Sequence, residues 1–470
     1  MLPYLILSAG TVIALLAAAF VRRNAASAVA VLTLAAALLA IVFFIPRVPS
    51  PVTDLLLLDG ISALTGGLVL FASLCIALLA RPYLAEHDAP QAEFSILLML
   101  GALGGLVLAA SSHFASLFLG IELVGIPLVA MAAYDRRSVH GLEAGIKYLI
   151  LSGMSSAFLL FGIALLYAGS GSLSFGDAAA ALRQFSAQPP AYHIGVVLVV
   201  AGLGFKLALV PFQFWVPDVY EGAPAPVTMF AATVSKAAVI TVLLRLFPPP
   251  VIESDRFLFH LFAVLAVASM TLGNVLAVRQ QGVKRMLAYS SIAHSGYLLV
   301  AFLAGGPLAR PAVLLYLVSY VITNLGAFGV VSLLSGAGSD LDGLDRYRGL
   351  FWRRPWTASV LTLAVLSLLG IPLTAGFIAK YAVVAAGMES AHLLLVLALA
   401  VNTAISAAYY LRIVMTLFLD HELAVSGGGR RAASPLPVSG MVIVTLQAAL
   451  LIAIGVMPQH LLGLIERLLT

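Results

Sequence analysis

Three lysines of this chain, Lys206, Lys236 and Lys380, lie inside long apolar runs, although only five of its 25 basic residues are lysine. A charge at the centre of a bilayer costs about 3 kcal/mol or more, so such a residue usually performs a function. Lysine, unlike arginine, can release its proton near neutral pH when it is buried. The three lysines therefore indicate proton movement through a membrane.

Two further ionisable residues lie within other apolar runs: Glu122 near the middle of one and His294 in the first half of another. Glu122 is the only carboxylate that the sequence places near mid-membrane, which makes it the expected partner of Lys206 or Lys236. Breaking such a pair changes proton affinity, and this change is the basis of a pump stroke. Lys147 lies five residues into its run, where it either joins this group or extends to the membrane interface.

Each of these residues also has a structural interpretation. Buried charges can hold helices together as static ion pairs, and His294 can serve as a simple interhelical hydrogen-bond donor. Asp218 and Glu221 precede a predicted span, and a helix amino terminus favours carboxylates. We therefore interpret this pair as helix caps.

The composition is that of a membrane protein, with 62% hydrophobic and 10% charged residues and a mean hydropathy of +1.09. It leaves no room for a sizeable soluble domain. A single cysteine, Cys75, excludes a cysteine-ligated iron–sulfur cluster or a four-cysteine zinc site within this chain. The net charge of +5 reflects membrane topology and does not indicate a nucleic-acid partner.

Apolar windows of about 20 residues predict an all-α polytopic membrane protein with about fourteen transmembrane helices. The seventh helix is interrupted at Pro211 and the twelfth at Gly370 and Pro372, since proline removes a backbone hydrogen bond. Both breaks are expected to line hydrated cavities, where freed carbonyls find partners. Because the breaks lie five spans apart, we expect two inverted-topology five-helix repeats, formed by spans 4–8 and 9–13.

The chain is accordingly divided into an N-terminal three-helix segment (1–91), two repeats (92–247 and 257–418) and a C-terminal helix (438–470). Positive charges concentrate on one side of the predicted topology, which places both termini in the periplasm. The loops assigned to the cytoplasmic side hold Arg22, Arg23, Arg81, Arg136, Arg137, Arg279, Lys284, Arg285, Arg346, Arg348, Arg353, Arg354, Arg430 and Arg431. The opposite side holds Arg47, Arg183, Arg245, Arg256, Arg310 and Arg467.

Four motifs are characteristic: F-Q-F-W-V-P-D-V-Y-E-G-A-P-A-P-V-T-M-F-A-A-T-V-S-K-A-A (212–238), R-M-L-A-Y-S-S-I-A-H-S-G-Y-L-L (285–299), E-A-G-I-K-Y-L-I-L-S-G (143–153) and D-L-D-G-L-D-R-Y-R-G-L (340–350). They closely resemble the antiporter-like subunits of respiratory complex I, and the V-T-x-F-x-x-T-V-S-K form is similar to subunit N. The resemblance covers essentially the whole chain. It departs after Glu122, where V-G-I-P-L-V-A-M-A replaces a run that usually has serine and tyrosine.

The resemblance implies a proton-translocating membrane-arm subunit of NADH:quinone oxidoreductase in the bacterial inner membrane, that is, part of a translocase. The implied proton path consists of Glu122 and Lys206 as an ion pair, Lys147 flanking it, Lys236 as the central carrier, Lys380 on the exit side and His294 between these last two lysines.

The same resemblance implies that this chain binds no redox cofactor. FMN, iron–sulfur clusters, NADH and quinone would be bound by other subunits of the complex. The expected partners are other membrane-arm subunits, including neighbouring antiporter-like ones, and the lipid bilayer. Two alternatives remain open: a subunit of a multi-subunit sodium/proton antiporter or membrane-bound hydrogenase, and a structural subunit that moves no protons.

Overall fold

The computed structural model describes residues 1–20, 23–44, 49–336, 340–419 and 436–469. The predictions for Arg22, Arg47, Arg430 and Arg431 lie outside the described residues. Almost all of the described chain is helical. This is expected for an apolar chain in lipid, because a helix satisfies its own backbone hydrogen bonds.

The first half contains a short hairpin of β1 (Ser50–Thr53) and β2 (Leu56–Leu58). Its helices are α1 (Leu2–Phe20), α2 (Arg23–Phe44), α3 (Gly60–Glu86), α4 (Gln91–Ala110), α5 (Phe114–Ala132), α6 (Val139–Ser170), α7 (Phe175–Leu182), α8 (Pro190–Leu207), α9 (Trp215–Gly222), α10 (Ala225–Phe230) and α11 (Lys236–Leu246). A π-helical turn, Ala231–Ser235, joins α10 to α11, so that the two form one crossing.

The second half contains no β-strand within the described ranges. Its helices are α12 (Pro249–Ser254), α13 (Arg256–Val278), α14 (Val283–Leu303), α15 (Gly306–Leu334), α16 (Leu350–Arg353), α17 (Pro355–Leu369), α18 (Ala375–Glu389), α19 (Leu393–Phe418), α20 (Val438–Val456) and α21 (Pro458–Leu469).

Within the described ranges, thirteen helical segments are long and apolar enough to cross a membrane. The two shorter helices α17 and α18 follow each other and form one further, interrupted crossing. Together they confirm the predicted number of about fourteen.

The two predicted interruptions are present in the fold. The seventh crossing stops at the end of α8, and α9 begins eight residues later, at Trp215. The twelfth is divided between α17 and α18 around Gly370, whose φ of 91° requires the left-handed region. Helix α4 packs against α5 as α13 packs against α14, which is the pairing expected of two repeats. The fold class predicted from the sequence is confirmed.

The crossings differ in how much of their surface the chain itself covers. The α10–α11 crossing is completely buried, and α14 and α15 are 94% buried. By contrast, α6 and α20 are only 33% and 28% buried, so they lie at the periphery. Lys236 and His294 therefore lie on the innermost helices, where the chain itself excludes lipid.

Candidate proton path

Lys206 lies in the last turn of α8, just before the first interruption, and is 3% exposed. Its Nζ donates a hydrogen bond to the hydroxyl of Tyr148 on α6, at 3.3 Å. The Tyr148 ring packs against Trp215, with ring centroids 4.9 Å apart. Gly125 on α5 leaves space for the lysine, since a Cβ there would lie 3.0 Å from Nζ.

Glu122 lies on α5 and accepts a hydrogen bond from the Ser156 hydroxyl of α6. Within the described chain, Glu122 makes no direct ion pair with Lys206, which corrects the contact expected from the sequence. The reason is that α6 packs against both α5 and α8 and offers a hydroxyl to each charge. The two charges remain within electrostatic range of one another.

Lys147 belongs to a separate, partly exposed cluster of charges. Its Nζ contacts Glu143 at 2.7 Å and Asp218 at 2.6 Å, and its side chain is 41% exposed. Arg285 contacts Asp218 at 3.0 Å and Glu221 at 2.5 Å. The structure therefore corrects the interpretation of Asp218 and Glu221 as helix caps, because neither side chain caps α9 or α10 and both form ion pairs. Lys147 lies outside the buried group of lysines.

The charge of Asp218 is favoured by these neighbours. Partial burial by itself would raise the pKa of its carboxyl, but hydrogen bonds and charges from Lys147 and Arg285 together hold that pKa below its usual value. Asp218 is therefore ionised at neutral pH.

Lys236 is the most buried of the three predicted lysines, at 1% exposure. It follows the π-helical turn directly, and such turns are frequent at functional sites. Its Nζ donates to the Ser291 carbonyl at 2.8 Å and to the Ser295 hydroxyl at 2.9 Å, both on α14.

The first interruption is connected directly to Lys236. Ser295 donates its own proton to the carbonyl of Leu207, at 2.7 Å, which is the carbonyl freed by the break at Pro211. Trp215 Nε1 satisfies the nearby carbonyl of Phe205, at 2.9 Å. Protein groups therefore satisfy both carbonyls at this break, which the sequence predicted to line a hydrated cavity.

His294 is held by two buried tyrosines. Its Nδ1 lies 2.7 Å from the Tyr316 hydroxyl and its Nε2 lies 3.1 Å from the Tyr410 hydroxyl. Both Lys236 and Lys380 are within electrostatic range of the imidazole. The histidine thus lies between the second and third lysines, with a hydroxyl at each ring nitrogen.

Lys380 lies on α18 and donates to the Leu369 carbonyl, at 2.9 Å, where α17 ends. Its ammonium also lies 4.9 Å from the centroid of the Tyr297 ring. Lys380, His294 and Thr323 are among the residues around a cavity of about 10 Å³, which is room for about one water molecule. The second interruption therefore does line a polar cavity.

Several contacts were missed by sequence reasoning because hydroxyl residues are common in apolar helices. The structure identifies four such residues by their contacts with the predicted ones: Tyr148, Ser295, Tyr316 and Tyr410. Lys284 was assigned to a cytoplasmic loop, but it is 1% exposed and paired with Asp340 at 2.5 Å. A signal was available, since the sequence places a group of aspartates shortly before the twelfth span.

The fold and the buried groups define a class of protein: a membrane-embedded, antiporter-like chain with two interrupted helices and ionisable residues inside. The comparison with known families agrees with this class. The model of the family described as NADH:quinone oxidoreductase/Mrp antiporter, transmembrane, matches residues 111–406.

Solved structures of three complexes contain similar chains. A chain of respiratory complex I from Thermus thermophilus with bound aureothin is 33% identical, covers 98% of both chains and has a TM-score of 0.84. A chain of the membrane-bound sulfane sulfur reductase, an archaeal respiratory membrane complex, is 22% identical over 99% of this chain and 96% of that one, with a TM-score of 0.87. A chain of the Mrp complex from Dietzia sp. DQ12-45-1b is 20% identical over 100% and 97%, with a TM-score of 0.86.

The last two similarities show the fold alone. With the family match and the complex I similarity, however, the assignment is clear: the chain belongs to the NADH:quinone oxidoreductase/Mrp antiporter transmembrane family. This confirms the family predicted from the sequence motifs.

Proposed function

We propose that this chain is a proton-translocating membrane-arm subunit of an NADH:quinone oxidoreductase, corresponding to subunit N. The observation on which this depends most is the hydrogen-bonded connection from Leu207 through Ser295 to Lys236. It joins the first interrupted helix to the most buried lysine. Membership of the family and the similarity to a complex I chain support the same role.

The contacts suggest how the charges cooperate. A change in the distance between Glu122 and Lys206 alters the electrostatic stabilisation of the Lys206 ammonium. Helix α8 carries Lys206 and ends one residue later, so movement of that lysine also moves the Leu207 carbonyl that Ser295 contacts. The hydrogen bonds around Lys236 then change with it. This gives a physical route by which a charge shift at Glu122 alters proton affinity at Lys236.

The second half of the path uses His294 as an intermediate. An imidazole can take a proton at one nitrogen and release one from the other, and here each nitrogen faces a tyrosine hydroxyl. Lys380 follows across the small polar cavity. We propose the order Lys206, Lys236, His294 and Lys380.

In this proposal the driving reaction takes place elsewhere in the complex. NADH, FMN, iron–sulfur clusters and quinone are bound by other subunits, and other membrane-arm subunits are the partners of this chain. We further propose a location in the bacterial inner membrane, with both termini in the periplasm. A role in a sodium/proton antiporter or membrane-bound hydrogenase is the alternative. This alternative is supported by the chains that are 20% and 22% identical, and their similarity establishes only a shared fold.

The test compares protons moved per NADH oxidised in inverted membrane vesicles that carry Lys206→Ala or Lys236→Ala. We expect both variants to assemble and to move clearly fewer protons per NADH. Lys236→Arg is expected to fail as well, because arginine keeps its charge but does not readily release its proton.

Thr241→Val provides a matched control. This residue lies on the same helix as Lys236, is fully buried, and bonds to Thr65 at 2.9 Å, away from the lysines. Its variant should lose a buried hydrogen bond and pump normally. Normal pumping in the assembled Lys206→Ala and Lys236→Ala complexes would contradict the proposal.

A further inference from the structure

The segment from Asp340 to Leu344 is docked onto the amino terminus of α14. The Val283 amide donates to the Asp342 carbonyl at 2.8 Å, and the Leu344 amide donates to the Gln281 carbonyl at 2.9 Å. The Asp342 carboxylate also accepts from the Lys284 amide, at 2.8 Å. Asp342 therefore anchors this segment through backbone groups.

Asp340, two residues earlier, makes a different kind of contact with the same lysine. The Lys284 ammonium donates to its carboxylate at 2.5 Å and to the carbonyls of Glu221 and Ala223, at 2.8 and 2.7 Å. These three bonds use all three ammonium protons. The Lys284 side chain is 1% exposed and that of Asp340 is 10% exposed, so this ion pair lies inside the protein.

The pair is connected to a large cavity that contains several charged residues. The Tyr83 hydroxyl donates to the second oxygen of Asp340, at 2.7 Å. Tyr83 also lines a cavity of about 660 Å³, together with His87, Glu93 and Asp135 among others. Exposed Arg136 and Asp88 lie at the same cavity, so it opens to the surface at the arginine-rich end of the bundle. Tyr83 therefore connects Asp340 to the cavity.

In the other direction the pair faces Lys236. Ser291 follows Lys284 by seven residues, which is two turns of α14, so both lie on one face about 10.5 Å apart along the axis. Ser291 is a direct contact of Lys236. Tyr220, adjacent to the Glu221 carbonyl that Lys284 contacts, places its hydroxyl 3.5 Å from Ser291 Oγ.

We propose that Asp340, with Lys284, is the proton-entry site of the Lys236 branch, filled from the arginine-rich end through Tyr83. The proposal rests on the proposed proton-translocating function and extends it. It adds two titratable residues and an access route to the proton path formed by Lys206, Lys236, His294 and Lys380.

The step balances with one proton entering and one leaving. A proton from the cavity neutralises the Asp340 carboxylate, and the Lys284 ammonium then lacks its counter-charge. Lys284 releases its proton toward Lys236 and recovers another from the Asp340 carboxyl, which restores the pair. Other charged groups near the pair are Asp342 and Arg346 on the segment of Asp340, and Glu221 on α9, whose carbonyl Lys284 contacts.

Anchoring alone does not account for this pair. Asp342 already caps α14, and an added buried ion pair costs desolvation energy that its own attraction often fails to recover. A structural contact at this place would not need two charges, whereas a proton-accepting site needs both.

The test uses the whole complex in inverted membrane vesicles, with protons moved per NADH oxidised as the readout. Asp340→Asn removes the proton acceptor and keeps a polar group of the same size. Asp342→Asn is the matched control, because its amide oxygen still accepts from the Lys284 amide. We expect pumping per NADH to fall in Asp340→Asn, with NADH oxidation largely retained, and to be normal in Asp342→Asn.

A double variant, Asp340→Asn with Lys284→Gln, separates proton entry from anchoring. If the only role of each residue is to neutralise the charge of the other, the double variant leaves no unpaired charge and restores pumping. If Asp340 takes up protons, pumping stays low in the double variant. Should Asp340→Asn fail to assemble, Tyr83→Phe provides the test, since it removes only the hydroxyl, and a fall in pumping is expected. Normal pumping in Asp340→Asn or, if that variant does not assemble, in Tyr83→Phe, or recovery in the double variant, overturns the proposal.

Lys236→Ala in the same vesicles distinguishes this failure from failure of the proposed function. If Lys236→Ala loses pumping while Asp340→Asn keeps it, the entry site is wrong and the translocation role stands. If both pump normally, the translocation role itself is wrong.

Discussion

Lys236 and Ser295 form a hydrogen bond of 2.9 Å between two central helices, and the same serine donates to Leu207 at 2.7 Å. The serine therefore accepts a hydrogen bond from the ammonium and donates one to the carbonyl freed by the break in the seventh crossing. A proline-induced break and a buried lysine thus depend on one hydroxyl. This arrangement couples the shape of the interrupted helix to the surroundings of the lysine.

Ser295→Ala should lower pumping while leaving the complex assembled. The substitution removes one acceptor of Lys236 and the donor to Leu207. Interhelical hydrogen bonds in membranes contribute about 0.6 kcal/mol on average, so the loss of stability should be small. The measurements are protons moved per NADH oxidised and the thermal stability of the solubilised complex.

Ser269→Ala is the control for this effect. Ser269 accepts from the Val210 amide at 2.9 Å and so also supports the first interruption, but the contact is with backbone and not with a lysine. The Ser269→Ala complex should lose about as much thermal stability as the Ser295→Ala complex and should pump normally. Equal pumping by the Ser295 and Ser269 variants would show that the hydroxyl supports the break and nothing more.

Tyr148→Phe should reduce pumping less than Lys206→Ala does. The variant keeps the ring that packs against Trp215 and removes the hydroxyl that Lys206 contacts at 3.3 Å. Since the lysine and its charge remain, only its hydrogen-bond partner is lost. The comparison of pumping per NADH in the two variants is the test. A larger loss in Tyr148→Phe than in Lys206→Ala would contradict this ordering.

Much of this architecture follows from the sequence because lipid imposes strong constraints. Long apolar runs predict helices, and Pro211 and Pro372 predict the breaks in two of them. Lysines within such runs are expensive enough to stand out. The fold class, the number of crossings and the family were therefore predictable, and Lys206, Lys236 and Lys380 are indeed buried.

What the sequence could not provide is which side chains meet across helices. Glu122 and Lys206 were expected to pair directly, but Ser156 and Tyr148 of α6 contact them instead. Serine and tyrosine are common in such helices, so neither is a distinctive signal. Lys284 was misplaced for a related reason: its position next to a loop suggested solvent, and its burial comes from a distant segment docking over it.

The charged cluster around Asp218 should show a defined pH dependence. The folded-state pKa of this carboxyl is lowered, since the hydrogen bonds from Lys147 and Arg285 outweigh the effect of burial. A group with a lowered folded pKa stabilises the protein above its unfolded pKa of about 4 and loses that contribution as the pH falls through the folded value. Asp218 should therefore contribute the same free energy of unfolding at pH 7 and at pH 5.

The measurement is the difference in melting temperature between the wild type and Asp218→Asn across pH. We expect a constant gap from pH 7 to 5 that narrows on further acidification, below about pH 4. Asp177→Asn is the control, because Asp177 is an exposed residue that accepts from Ser172. A gap that widens on acidification would show that the cluster does not favour ionised Asp218.

Gly370→Ala tests whether the second interruption positions Lys380. Gly370 has a φ of 91°, and a Cβ there would lie 2.9 Å from Cδ of Lys380. Backbone strain at a non-glycine residue costs about 1–3 kcal/mol, and the lysine stem must also move away from the Leu369 carbonyl.

Gly171→Ala is the matched control, since its φ is 70° but nothing lies within 4 Å of the added carbon. Both variants should lose stability, measured by thermal unfolding, with the larger loss in Gly370→Ala, and only Gly370→Ala should lower protons moved per NADH oxidised. Similar pumping in the two variants would mean that the position of Lys380 does not depend on this turn.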